Sequence, residues 1–154
     1  MTLVSPDMTP YEAPLAIENE HPNLQLDIEK IKTLVHLVLD GEGFTLTYLG
    51  IVLSDHEAIH AMNREHLGHD YETDVLSFPL QSDHHIRTYK QVEGEIYVDL
   101  DTALEVAPEY HTVFEQEALR YIVHGLLHLM GYDDATDAQR KQMSMSEDRY
   151  LKAM

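Results

Sequence analysis

The chain of 154 residues contains no cysteine. Disulfides, thiolate metal sites and a cysteine nucleophile are therefore excluded, and the absence fits a reducing cytosol. Basic residues are scarce. Lys and Arg total 10 against 28 Asp and Glu, a formal net charge of −18. That balance argues against a broad basic face for gripping nucleic acid and leaves a local basic groove open. No apolar stretch approaches the length of a membrane span. Met1 to Pro14 has neither a basic n-region nor an apolar run, so a secretory signal is not expected. The expectation is a cytoplasmic protein with no membrane partner. There is no internal repeat and no low-complexity tract. With 44% apolar residues, the chain is about one domain with an ordinary core.

Pro6, Pro10 and Pro14 mark residues 1–14 as a flexible N-terminal arm, leaving 15–154 for the domain. Leu15-Ala16-Ile17 reads as a short strand. Asp27 is a plausible N-cap for a helix carrying Ile28, Ile31, Leu34, Val35 and Val38, with Gly41 and Gly43 as its stop. Leu46–Leu53 reads as a buried strand. Ser54-Asp55-His56-Glu57 is a capping-box sequence for a second helix, with Ala58, Ile59 and Met62 on its inner side and an end near Leu67-Gly68. Thr73–Phe78 reads as a third strand ended by Pro79. Gln81–Gln91 is polar and reads as an exposed loop. Glu95–Asp99 reads as a fourth strand, placed at an edge. Thr102–Val106 begins a short helix broken near Pro108. Thr112-Val113-Phe114-Glu115 and Thr136-Asp137-Ala138-Gln139 are further capping boxes, opening a long helix and a last one. The fold expected is a single α+β (mixed α/β) domain, a small four-stranded mixed sheet covered by about five helices.

One stretch dictates chemistry. His124 and His128 stand four apart in an apolar helical segment, so both imidazoles lie on one helix face and reach one ion. Gly131 follows three residues later and Asp134 three after that. A glycine turn would bring Asp134 back toward the histidines. This is the ligand spacing of the long zinc-protease motif, but Gly125 stands where that motif has its general-base glutamate. Three protein ligands leave a position open on zinc, the catalytic arrangement. An aspartate in third place weakens the ion as a Lewis acid relative to three histidines and shifts preference toward harder ions such as manganese. His56 and His60 form another i, i+4 pair, without a third ligand in register, and read as a polar helix face. His84-His85 reads as solvent-exposed.

The motif His124-Gly125-Leu126-Leu127-His128-Leu129-Met130-Gly131-Tyr132-Asp133 resembles the signature H-G-x-L-H-L-x-G-Y-D-H of the YbeY-type endoribonucleases, the rRNA maturation factors, with Asp134 in place of the final histidine. Asp70 to Pro79 resembles that family's D-x-x-T-D-V-L-S-F-P. Gly94-Glu95-Ile96 resembles its G-D-I strand, and Asn63 matches the asparagine before the second motif. The resemblance spans roughly residues 15–150. It implies one α/β domain with His124, His128 and Asp134 as metal ligands at one end of a cleft. It also implies metal-dependent hydrolysis of single-stranded RNA in rRNA maturation and ribosome quality control. The partners it implies are rRNA and the small ribosomal subunit or its assembly proteins. At the positions of His66 and Leu67 the family often has Tyr-Arg, whose arginine is thought to contact phosphate. Leu67 cannot do that. Arg64 and His69 are the candidates to supply that charge, with His69 also a candidate acid or base if it faces the cleft.

Two other readings use the same motif. A metallopeptidase would need a base that Gly125 does not provide. A ribosome-assembly factor would use the metal structurally, and the acidic charge and missing Tyr-Arg pair are compatible with it.

Overall fold

The computed structural model describes residues 14–67 and 74–154, with the side chains of 66 and 67 left out. The expected arm over 1–14 lies outside these residues except for Pro14, whose carbonyl accepts the Leu49 N–H at 2.8 Å. His69, most of the Asp70–Pro79 motif before Asp74, and the side chains of His66 and Leu67 also lie outside them.

The described residues form four strands and six α-helices in the order β1 (Leu15–Asn19), α1 (Ile28–Glu42), β2 (Thr45–Ser54), α2 (His56–Leu67), β3 (Val75–Pro79), α3 (Asp83–Tyr89), β4 (Gln91–Asp99), α4 (Leu100–Val106), α5 (Phe114–Leu129) and α6 (Asp137–Lys152), with a 3-10 turn at Ala107–Tyr110 before α5. The strands lie in the order β1-β2-β4-β3. β1 and β4 run parallel to β2, and β3 runs antiparallel to β4. The sheet is mixed and four-stranded, as the sequence indicates.

Several local expectations are corrected. The stretch 81–91 is not a loop. Ser82 accepts the His85 N–H and starts α3, while Lys90 in a left-handed conformation ends it and β4 begins at Gln91. A single buried apolar residue, Ile86, anchors this short helix, so it carries almost no amphipathic signal. Within α3, His85 bonds Gln91 instead of lying fully in solvent. β4 is central rather than an edge strand. Its buried residues alternate along Val92, Gly94, Ile96 and Val98, a half-covered pattern that occurs at the centre of a sheet with one helical face as readily as at an edge. Asp55, not Ser54, caps α2 by accepting the Ala58 N–H at 2.8 Å. Ala58 faces outward while Ile59 and Asn63 face in. The Thr112 capping box does not form, since α5 starts after Val113 with no side-chain cap. α1 runs through Gly41 and ends at Gly43. The Asp27 cap and the Thr136 capping box both form.

The core lies between the sheet and the layer of α1, α5 and α4. Ile31, Leu34, Leu119, Ile122, Leu126 and Leu127 are fully buried there, each contributing roughly 1.5–3 kcal/mol by leaving water. α5 crosses β3 and β4 at close range. A Cβ at Gly125 would stand 2.9 Å from Ile96 Cγ2, 3.1 Å from Ser77 Oγ and 3.2 Å from Val75 Cγ2. The Ser77 hydroxyl donates to the Gly125 carbonyl at 3.1 Å. Gly125 is thus the point where the helix touches the sheet. That contact fixes the rotation of α5 and turns His124 and His128 toward its open side.

Candidate metal centre

The C-terminal turn of α5 builds the site. Met130 caps the helix, and Gly131 takes φ 103°, a conformation costly for any residue with a Cβ. The Tyr132 N–H then returns to the Leu127 carbonyl at 3.0 Å. The chain doubles back and presents Asp134 to the histidines, as the spacing requires.

Nε2 of His124 lies 3.1 Å from Nε2 of His128. Asp134 Oδ2 is 3.4 Å from the first and 3.2 Å from the second. The opposite nitrogen of each ring is occupied: His128 Nδ1 donates to the Tyr132 carbonyl at 3.1 Å, and His124 Nδ1 to Glu147 Oε2 at 2.7 Å. With protons held at Nδ1, both Nε2 lone pairs converge beside a carboxylate oxygen. Three acceptors packed this way repel one another unless a cation or proton sits among them. A tetrahedral zinc bonded at 2.0–2.1 Å separates its ligand atoms by about 3.4 Å, so the observed spacings fit the ion. Both imidazoles are half-buried and Asp134 is more exposed. Among the described residues this is the one group of three His, Asp or Glu side chains close enough to share an ion.

Glu147 was not singled out by the sequence. α6 brings it from outside the motif, buried behind His124, where Arg120 donates to its other oxygen at 3.1 Å and to Asp148 at 2.7 Å. A carboxylate behind a ligating histidine fixes the ring and raises its basicity. The available signal was periodicity: Met143, Glu147 and Tyr150 are the buried residues of α6 and share one face. Burial disfavours the His124 imidazolium, but the Glu147 hydrogen bond and the charges of Glu147, Asp74 and Asp134 outweigh it and leave its pKa raised. Asp74, at the start of β3, has its pKa pushed up by burial, partly offset by the His124 charge. Glu117 is likewise pushed up by burial, against a hydrogen bond from Tyr121.

The histidine opens onto a cleft of about 470 Å³ between α4, α5 and α6, whose lining includes Asp74, Arg120, Tyr121, His124 and Glu147. Arg64 lies on the exposed side of α2 and is not among the residues lining this cleft. Among the described residues, His56 and His60 join no three-ligand group. His56 Nδ1 instead lies 2.6 Å from Oδ2 of buried Asp99, which also accepts the Thr102 hydroxyl at 2.7 Å.

A one-layer mixed sheet backed by helices, with a His-His-Asp cradle at the mouth of a cleft, defines an α+β protein with a candidate metal site. The comparisons with known proteins make this specific. The family model described as Endoribonuclease YbeY matches residues 16–154, and the chain belongs to that family. A relative from Salinibacter ruber, named Endoribonuclease YbeY, is 48% identical over 147 residues, covering 94% of each chain. One of the same name from Chloroherpeton thalassium is 41% identical over 130 residues, covering 84% of this chain and 88% of its own. The solution structure of TM1509 from Thermotoga maritima superposes with a TM-score of 0.62 at 32% identity, covering 89% of this chain and 86% of that one.

Proposed function

We propose that this protein is a metal-dependent endoribonuclease that cleaves single-stranded RNA in rRNA maturation and ribosome quality control. The observation that carries the proposal is the convergence of two Nε2 atoms and one carboxylate oxygen, in a chain whose relatives bear the name Endoribonuclease YbeY. His124, His128 and Asp134 hold the ion, zinc by preference, with manganese accommodated by the aspartate. A bound divalent ion supplies Lewis acidity at a phosphoryl oxygen and lowers the pKa of a coordinated water.

The chain's own residues do the rest. Glu147 and the Tyr132 carbonyl hold the imidazoles in the tautomer that aims Nε2 at the ion. Arg120 holds Glu147 in turn. Asp74 lines the cleft beside His124, where burial pushes its pKa up and the His124 charge partly offsets that shift. Arg64 and His69 are proposed to contact phosphate and to assist proton transfer. The partners proposed are rRNA and the small ribosomal subunit or its assembly proteins, in the cytoplasm. No described helix is long and apolar enough to cross a membrane.

The peptidase reading fails on space as well as on sequence. The glutamate it needs would have to stand at Gly125, where even a Cβ meets Ile96 and Ser77. The test is metal analysis of the purified protein, followed by single-stranded RNA cleavage by wild type and His128→Ala. Wild-type cleavage that is metal-dependent and lost in the variant supports the reading. Equal cleavage by both, or none by either with metal restored, overturns it.

A further inference from the structure

The cleft beside His124 has the wrong charge for a phosphate. Asp74, Glu117, Glu147 and Asp148 outnumber the guanidinium of Arg120, the one Lys or Arg in its lining among the described residues. Both terminal nitrogens of Arg120 are already engaged by Glu147 and Asp148. An anionic group entering the cleft would meet carboxylates and a cation that is already paired.

The remaining lining suits a neutral, flat, hydrogen-bonding ligand. Tyr110, at the end of the 3-10 turn, is 70% exposed and presents an aromatic ring at the rim. Tyr121 is buried deeper in the same cleft, and Gln116 and Thr112 add an amide and a hydroxyl. A volume of about 470 Å³ lies in the range of small-ligand sites. Unstacked single-stranded bases are bound by aromatic stacking combined with hydrogen bonds to their edges.

From this geometry we infer that the cleft is a nucleobase pocket for the nucleotide next to the phosphate held at His124, His128 and Asp134, and that it prefers bases bearing an exocyclic amino group. The inference rests on the endoribonuclease reading and names its specificity. Gln116 can pair with the amino and ring nitrogens of adenine, and Oδ2 of Asp148, whose Oδ1 is held by Arg120, can accept from the amino group of adenine or cytosine. Uracil offers carbonyl oxygens at that edge, which a carboxylate repels. Tyr110 supplies the stacking face for any base that enters.

The experiment compares kcat and KM on short single-stranded homopolymers of A, C and U, for metal-loaded wild type, Tyr110→Ala, Tyr110→Trp and Gln116→Ala, with metal content measured in each. Wild type is expected to cut A and C about tenfold better than U in kcat/KM, the scale of one good base contact. Tyr110→Ala is expected to lose about tenfold on all three through KM, the scale of one stacked base. Tyr110→Trp should restore it, and Gln116→Ala should narrow the A-to-U ratio, all at unchanged metal content. Equal kcat/KM on the three RNAs, or a wild-type KM in Tyr110→Ala, overturns the pocket while leaving the nuclease intact. No cleavage of any of them by the metal-loaded wild type overturns both.

Discussion

Glu147 Oε2 stands 2.7 Å from Nδ1 of His124, behind the ring whose Nε2 faces Asp134. The imidazole is therefore gripped from the side away from Asp134 by a helix outside the motif. Replacing Glu147 with Gln keeps the size and a hydrogen-bonding atom but removes the charge that raises the basicity of His124. Metal affinity should fall roughly 10- to 100-fold, as read by competition with a chromophoric chelator. At saturating metal the variant should regain most of its activity. Wild-type affinity in Glu147→Gln would show that this carboxylate serves only Arg120.

Asp134 supplies the one carboxylate oxygen that faces both Nε2 atoms. Removing it in Asp134→Ala leaves two histidines, and the protein should lose its ion on dialysis. Asp134→His should bind zinc and discriminate more strongly against manganese than wild type does, because imidazole favours the softer ion. Metal analysis and activity with each ion check both. An alanine variant that retains stoichiometric metal would remove Asp134 from the ligand set.

Gly125→Ala places a methyl against Ile96, Ser77 and Val75. Overpacking of this kind costs about 1–3 kcal/mol, which for a chain of this size lowers Tm by roughly 2–4 °C per kcal/mol. Thermal unfolding measures it. Gly125→Glu, which would write the protease motif, should fail to give soluble folded protein. A stable Gly125→Glu variant would mean that helix and sheet can separate at this point.

Glu117 is held above its ordinary pKa of 4.5 by burial. For a folded pKa above the unfolded one, the associated stability is fully present below the unfolded value and is lost as pH rises through the folded value. Wild type should therefore lose stability as pH rises from about 4.5 through the raised value of Glu117. Glu117→Gln should flatten that slope. Asp74, shifted in the same direction, leaves part of it in place. Melting temperature against pH for the two proteins checks the difference, and parallel profiles would contradict it.

Much of the candidate site's geometry was legible because it is local. His124, His128, Gly131 and Asp134 belong to one continuous segment, and helix period plus a glycine turn places them without knowledge of the rest of the fold. β2 and the Asp27 cap were legible for the same reason. Glu147, Arg120 and the cleft were not, because they exist only once α6 docks on α5. The eleven-residue stretch from Gln81 to Gln91 looked like a loop because α3 buries only Ile86. β4 was placed at an edge because alternation along a strand reports which face is covered and says nothing of its neighbours.

The turn at Gly131 has a further consequence, for folding and exchange. It closes the ligand set between His124 and Asp134, so an ion there bridges a helix end to the turn that follows it rather than tying distant parts of the chain together. Short loops restrict the unfolded chain little beyond what the turn already imposes, since the entropy of closure grows with loop length. The ion should therefore come and go by loosening that one turn, with the sheet and the helices on it still in place. Chelated protein should stay folded, and its amide hydrogen exchange should quicken around Met130–Asp134 and leave β2 and β4 protected.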